Sequence, residues 1–303
     1  MSAPPLTRTW TPPPHYDLRR TLRVLQRGPH DPAYRAEDGA VWRASRTPEG
    51  PATLRLTQEA RTVRAEAWGA GATWMLDQLP ALLGELDDPS AFTAHHDLVR
   101  EAHRRNPGLR LPRTGLVMES LIPSVLEQKV TADEAYRAWR LLLRRFGERA
   151  PGPHERLQVM PEPRDWCRIP SWEWHRAGVD SKRSAAVIRA AQRAPRMEEA
   201  ADMELEAALR RLQAIPGIGP WTAAETLQRS NGAPDAITVG DLHLPRIVGY
   251  ALTGERTVDD EGMLELLAPY EGQRHRAARL ICLTGHAPPR RRPRFPVGDI
   301  ARL

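Results

Sequence analysis

Asp241 draws attention because of what precedes it. The run Leu212-Gln213-Ala214-Ile215-Pro216-Gly217-Ile218-Gly219-Pro220-Trp221-Thr222-Ala223 is followed by Val239-Gly240-Asp241-Leu242-His243, which places a lone carboxylate 22 positions after Gly219. The pattern predicts a helix over 204–213, a Pro-Gly-Ile-Gly turn, and a second helix that starts near Pro220. Two glycines let the backbone turn tightly and approach another surface, and proline suits the first helical position. The start of a helix presents N–H groups that lack intrahelical partners, an arrangement that binds phosphate. The amides of Gly217, Gly219 and Thr222 are the candidate donors. Taken alone, an Asp before a helix is ordinarily an N-cap. An acid held next to a phosphate grip instead suits chemistry on a nucleic-acid strand.

At these residues the chain resembles the helix-hairpin-helix DNA glycosylases, and Gly-Ile-Gly-x-Trp-Thr-Ala is most similar to the bacterial 3-methyladenine-DNA glycosylase II branch. The resemblance is dense over about 115–283 and looser over the first hundred residues. It implies a hydrolase of base excision repair that flips a damaged purine out of duplex DNA and hydrolyses its N-glycosidic bond, leaving an abasic site. Alkylated purines come first as substrates and deaminated purines second. Asp241 would face the sugar as positive charge grows on it, stabilising the transition state more than the ground state. Bifunctional relatives carry a lysine where this chain has Trp221, so the resemblance implies a monofunctional enzyme. An aromatic face at this position also suits stacking on an extruded base. The alternative is a helix-hairpin-helix DNA-binding protein that is catalytically inactive or altered.

The resemblance also assigns supporting positions. The loop Glu127-Gln128-Lys129-Val130-Thr131 matches the wedge that replaces a flipped base, with Lys129 where near relatives carry an apolar residue. Gln128 and Lys182 are further DNA-contact candidates. Glu225 and Gln273 fall where the 3-methyladenine enzymes line their base pocket with aromatic residues, which implies a more polar pocket. The backbone carbonyls of Gln213, Ile215 and Ile218 would hold a monovalent cation, Na+ or K+, that bridges to phosphate. No other cofactor is required.

Composition narrows the classes. A formal charge of +6 over 303 residues suits a polyanionic partner, here double-stranded DNA. All but two of the 44 basic residues are arginine, the exceptions being Lys129 and Lys182. Two cysteines, Cys167 and Cys282, cannot supply a disulfide framework or the four thiolates of an iron–sulfur cluster. The start shows no apolar signal region and no run approaches membrane-spanning length, so a cytoplasmic, nucleoid-associated monomer with no membrane contact is expected.

The elements that must position these residues follow from periodicity. The fold class is α+β. A small mixed α/β unit with an antiparallel sheet is expected over 1–110, a mostly α-helical glycosylase unit over 111–287, and a basic Pro/Arg-rich tail over 288–303. Helices are predicted over 16–26 and 73–83, and strands over 40–47, 52–57 and 61–68. Farther on, Thr131-Ala132-Asp133-Glu134 is a capping box and Ser181 is the expected cap of a helix through 188. Helices are also expected over 242–252, 260–267 and 272–283. Trp166, Trp172 and Trp174 read as core of the helical unit.

Overall fold

The computed structural model describes residues 4–289. Its N-terminal part is a five-stranded antiparallel sheet of β1 (Leu6–Trp10), β2 (Tyr34–Glu37), β3 (Ala40–Thr47), β4 (Gly50–Glu59) and β5 (Thr62–Gly69), in the order β1-β5-β4-β3-β2. Strand alternation puts Leu54, Leu56, Val63, Ala65 and Ala67 in one core with Leu79, Leu82 and Leu83 from the helical turns that follow. The opposite face is also covered. Trp42 and Trp68 stack there with ring centroids 5.8 Å apart. Trp42 packs on Leu157 and Val159, beside a two-stranded ribbon of β6 (Glu148–Arg149) and β7 (Gln158–Val159).

Two strands of the large sheet, and both strands of the small ribbon, escaped the sequence pattern. β1 is an edge strand whose side chains are almost all exposed, so it shows no apolar alternation. β2 has only four residues. The helix expected over 16–26 is shorter: an α-helix covers Leu18–Leu22 and a 3-10 turn Arg23–Leu25, with Asp17 accepting from the Arg20 amide at 2.9 Å. The one expected over 73–83 is split into Ala72–Asp77 and Leu79–Leu82, with Pro80 opening the second piece.

Nine helices of eight or more residues are present among the described residues: α1 (Asp97–Arg105), α2 (Val117–Leu126), α3 (Ala132–Phe146), α4 (Ser181–Ala191), α5 (Leu205–Gln213), α6 (Pro220–Ser230), α7 (Leu244–Thr253), α8 (Asp260–Leu267) and α9 (Arg274–Leu283). Helix α2 is buried at every residue but Glu119, as a central helix must be. The buried Glu198 carboxylate accepts from its first amides, Val117 at 2.7 Å and Met118 at 3.0 Å, supplying partners that no helix start has of its own. The capping box before α3 is complete, with Thr131 and Glu134 bonding reciprocally. The cap of α4 is Asp180, not Ser181, because the Asp180 carboxylate reaches both the Lys182 and Arg183 amides. Trp166 and Trp174 are core residues, whereas Trp172 is 65% exposed and takes no part in it.

Two clusters fill the helical part. One gathers α2–α6, and the other α1 with α7–α9, so α1 packs with the C-terminal helices although it precedes residue 110. Charged contacts join the sheet to the helices: Arg43 pairs with Glu119 of α2, and Arg27 with Glu127 at 2.8 Å, both largely out of water. Asp31 lies between them, accepting from the Arg27 and Ala33 amides and from Trp139 Nε1; burial pushes its carboxyl up to about 6. The tail expected over 288–303 lies almost wholly outside the described residues.

A further ion pair anchors α9. Arg276 is 1% exposed and its guanidinium meets Asp87, which also accepts from the Leu111 amide at 3.0 Å. Removing one partner strands a buried charge, which costs about 3–5 kcal/mol. Asp87→Ala is therefore expected to lower the unfolding free energy by that amount in urea titrations. A loss below 1 kcal/mol would show that water already screens the pair.

Candidate active site and nucleic-acid interface

The hairpin forms as its sequence demands. Helix α5 ends at Gln213, the turn closes through the Ile218 amide on the Ile215 carbonyl at 3.0 Å, and Pro220 opens α6. Gly217 is required by the fold itself. Its φ is +100°, and a Cβ there would meet Ala186 of α4 at 2.9 Å. Gly219 differs. Its φ is −100° and a Cβ would touch nothing within 4 Å. The fold does not explain that glycine; close approach by another molecule would.

Behind the turn, the expected wedge loop is fixed by three side chains. Gln128 Nε2 donates to the Gly217 carbonyl at 2.9 Å and to Thr222 Oγ1 at 2.7 Å. Arg183, buried in α4, donates to the Leu126 carbonyl at 2.8 Å. Arg27 holds Glu127. Lys129 is left at the tip, exposed, with φ +55°. Left-handed backbone is unfavourable for a lysine by about 1–2 kcal/mol, so the surrounding contacts impose it. Gln128 thus joins this loop to the hairpin, and Lys129 is the side chain offered outward. Lys182 is exposed in the first turn of α4.

Asp241 sits at the start of α7, half-buried. Its Oδ1 accepts from the His243 and Leu244 amides, each at 2.8 Å, and so holds the turn that leads into the helix, whose N-cap position is His243. Its Oδ2 accepts from Trp221 Nε1 at 2.9 Å. The hairpin tryptophan and the carboxylate, 20 residues apart, therefore form one unit. The neighbouring Leu242 is 68% exposed, an apolar side chain held out beside the acid.

Glu225, one turn along α6 from Trp221, is half-buried and committed. Its Oε2 pairs with Arg229 Nη1 at 2.7 Å, and Arg229 Nε donates to the Val24 carbonyl at 2.9 Å. Gln273 is not brought together with Asp241. It precedes α9, and its Oε1 accepts from Arg276 Nε at 2.8 Å on the side of Asp87. It therefore lies on the helix face turned away from the acid.

Sequence reasoning missed the residue of α9 that approaches Asp241, Cys282. Desolvation, reinforced by the Asp241 carboxylate, pushes the Cys282 thiol up to about 11 although water reaches it. By spacing, His275 and Arg279 share the Cys282 side of the helix, an i, i+4, i+7 series that the sequence reading, which gave only the helix span, did not single out. At the turn, the Ile215 carbonyl accepts one bond, from the Ile218 amide, and keeps a second lone pair. Among the described residues no cluster of His, Cys, Asp and Glu could hold a metal ion, and no helix is long and apolar enough to cross a membrane.

No protein-family model matches the chain. It is 29% identical over 225 residues to a probable bifunctional transcriptional activator/DNA repair enzyme AlkA of Mycobacterium tuberculosis; the match covers 68% of this chain and 43% of that protein. The chain thus spans less than half the length of the curated relative. Among solved structures, the 3-methyladenine DNA-glycosylase from Archaeoglobus fulgidus superposes with a TM-score of 0.74 at 18% identity, covering 91% of this chain and 97% of that one. The 8-oxoguanine glycosylase/lyase of Clostridium acetobutylicum gives 0.72 at 9% identity, covering 93% and 98%. The chain has the fold shared by these DNA glycosylases.

Proposed function

We propose that the protein is a monofunctional DNA glycosylase that extrudes a damaged purine from duplex DNA and hydrolyses its N-glycosidic bond. The observation that carries this reading is the Trp221–Asp241 hydrogen bond at 2.9 Å, which fixes a carboxylate at the mouth of the hairpin. The hairpin amides hold phosphate and set the register of the duplex without reading sequence. A monovalent cation at the turn carbonyls would add positive charge facing the same phosphate. Lys129 and Leu242 project from the protein toward the disturbed duplex.

As the base departs, positive charge spreads over the sugar ring, and a carboxylate already oriented by three donors needs no reorganisation to stabilise it. The same group can orient the attacking water. Trp221 offers an indole N–H and no amine, so the position cannot form a Schiff base with the sugar. The relatives' names support this assignment, one a DNA repair enzyme and one a 3-methyladenine glycosylase.

A second reading, a DNA-binding module without catalysis, draws on one fact: both carboxylate oxygens of Asp241 already have hydrogen-bond partners within the protein. Base release separates the two. Asp241→Asn is expected to lower single-turnover release of damaged purine at least about 100-fold while duplex affinity stays within a factor of two or three. Strand breaks should appear only after hot alkali; breaks without it would indicate a lyase. Binding with no released base from any damaged duplex would establish the module.

Gly219 supplies a second test. Because its side-chain space is open, Gly219→Ala should leave the melting temperature unchanged. It should weaken duplex binding about tenfold, or 1.4 kcal/mol, by obstructing the approach of phosphate. Equal affinity in fluorescence anisotropy titrations would remove the turn from the interface.

A further inference from the structure

The segment 24–31, which leads into β2, touches three helices of the other part of the molecule. The Val24 carbonyl accepts from Arg229 Nε of α6 at 2.9 Å. Arg27 Nη1 donates to Glu127 Oε1, just past the end of α2, at 2.8 Å. Gly28 has φ +81° and lies against α3, since a Cβ there would meet the Tyr136 ring at 2.7 Å. Asp31 closes the segment, accepting from the Arg27 amide at 2.7 Å and from Trp139 Nε1 at 2.9 Å. Tyr136 and Trp139 are three positions apart, so one face of α3 receives both contacts.

These contacts bracket the loop between α2 and α3. Gln128 ties that loop to the hairpin, through the Gly217 carbonyl and Thr222 Oγ1. Arg27 holds Glu127, two residues before Lys129, and Asp31 holds the helix that follows. Between these anchors Lys129 is exposed, in left-handed backbone at φ +55° that a free chain would relax. The Arg27 and Glu127 side chains are only 6% and 17% exposed. Stranding that carboxylate costs more than the strain held at Lys129. Arg229, the other guanidinium near Glu127, is bonded to Glu225 and Val24. Without Arg27, Glu127 therefore turns to water and takes the start of the loop with it, and the tip loses its orientation.

We propose that Arg27 is a positioning residue for base extrusion, holding Glu127 so that Lys129 stays aimed into the duplex. This rests on the glycosylase reading above and gives the N-terminal unit a part in it. The hairpin amides grip phosphate whether or not the loop is ordered, so Arg27 acts after binding. Unstacking a base costs energy, and a side chain entering the gap offsets that cost best when it is held in place beforehand. The lysine stem is apolar enough to occupy the gap, and its ammonium then donates to the unpaired base or the adjoining phosphate.

The test uses the full chain and a duplex with 2-aminopurine opposite a tetrahydrofuran abasic analogue, whose fluorescence rises when the base is unstacked. The wild type is expected to produce that rise on binding. Lys129→Ala and Arg27→Met should each remove most of it while duplex affinity stays within about two- to threefold. The double variant should lose no more than either single one, because both act through one side chain. Arg27→Lys, which keeps the cation, should recover part of the rise. Single-turnover release from duplexes containing 7-methylguanine or hypoxanthine is measured per binding-competent enzyme. In Arg27→Met it should fall about 10- to 100-fold on whichever base the wild type releases. Asp87→Ala, which breaks a buried ion pair elsewhere, should leave both readouts unchanged. A full rise with Arg27→Met, a further loss in the double variant, an equal loss with Asp87→Ala, or no rise with the wild type would overturn the proposal. Release from no damaged duplex above the level of Asp241→Asn would instead overturn the glycosylase reading, with the fluorescence still deciding the part played by Arg27.

Discussion

The hydrogen bond between Trp221 Nε1 and Asp241 Oδ2 joins two parts that chain connectivity alone would leave independent. One part is the hairpin, whose first-turn amides face outward; the other is the start of α7, whose own amides are capped by the second oxygen of the same carboxylate. Each oxygen therefore has a different duty. Because three donors fix the group, its position relative to the turn is set by covalent geometry and short contacts, without a mobile loop between them. Contacts of this kind are what preorganisation means in a polar site.

The surroundings extend that rigidity. Gln128 ties the loop after α2 to both the turn carbonyl of Gly217 and the hydroxyl of Thr222, and Arg183 closes the same loop from behind. A side chain expected to contact a partner is instead what holds the contacting residue, Lys129, in a backbone conformation it would not adopt freely. Glu225 is similarly committed, to Arg229. Polar residues near a site are often occupied with one another, and only the unoccupied ones remain for a ligand.

That distinction marks the limit of what the sequence revealed. The hairpin, the capping box before α3, β3 and the span of α8 were legible because each depends on local chemistry: glycine and proline at a turn, a reciprocal cap, alternation in a strand, a run bounded by Asp259 and Tyr270. The sheet's edge strand was not, since β1 has no buried face. Nor was the placement of Gln273, which depends on an ion pair between Asp87 and Arg276 that lie 189 positions apart. Cys282 was overlooked for the converse reason. Its helix was foreseen, but that this residue comes under the influence of Asp241 is decided by docking on Pro234 and Asp235.

The charged seam between sheet and helices has a consequence for how such a chain can change. Arg43, Glu119, Arg27, Glu127 and Asp31 are drawn from both parts, and each is shielded by the other's backbone or aromatic rings. An apolar seam tolerates substitution by similar volumes, but this one requires matched partners. Transplanting the sheet from one homologue onto the helices of another would leave solitary charges in a dry interface unless both sides were exchanged together. The two portions are thus bound to co-inherit, and recombination between them is a poor route to new specificity.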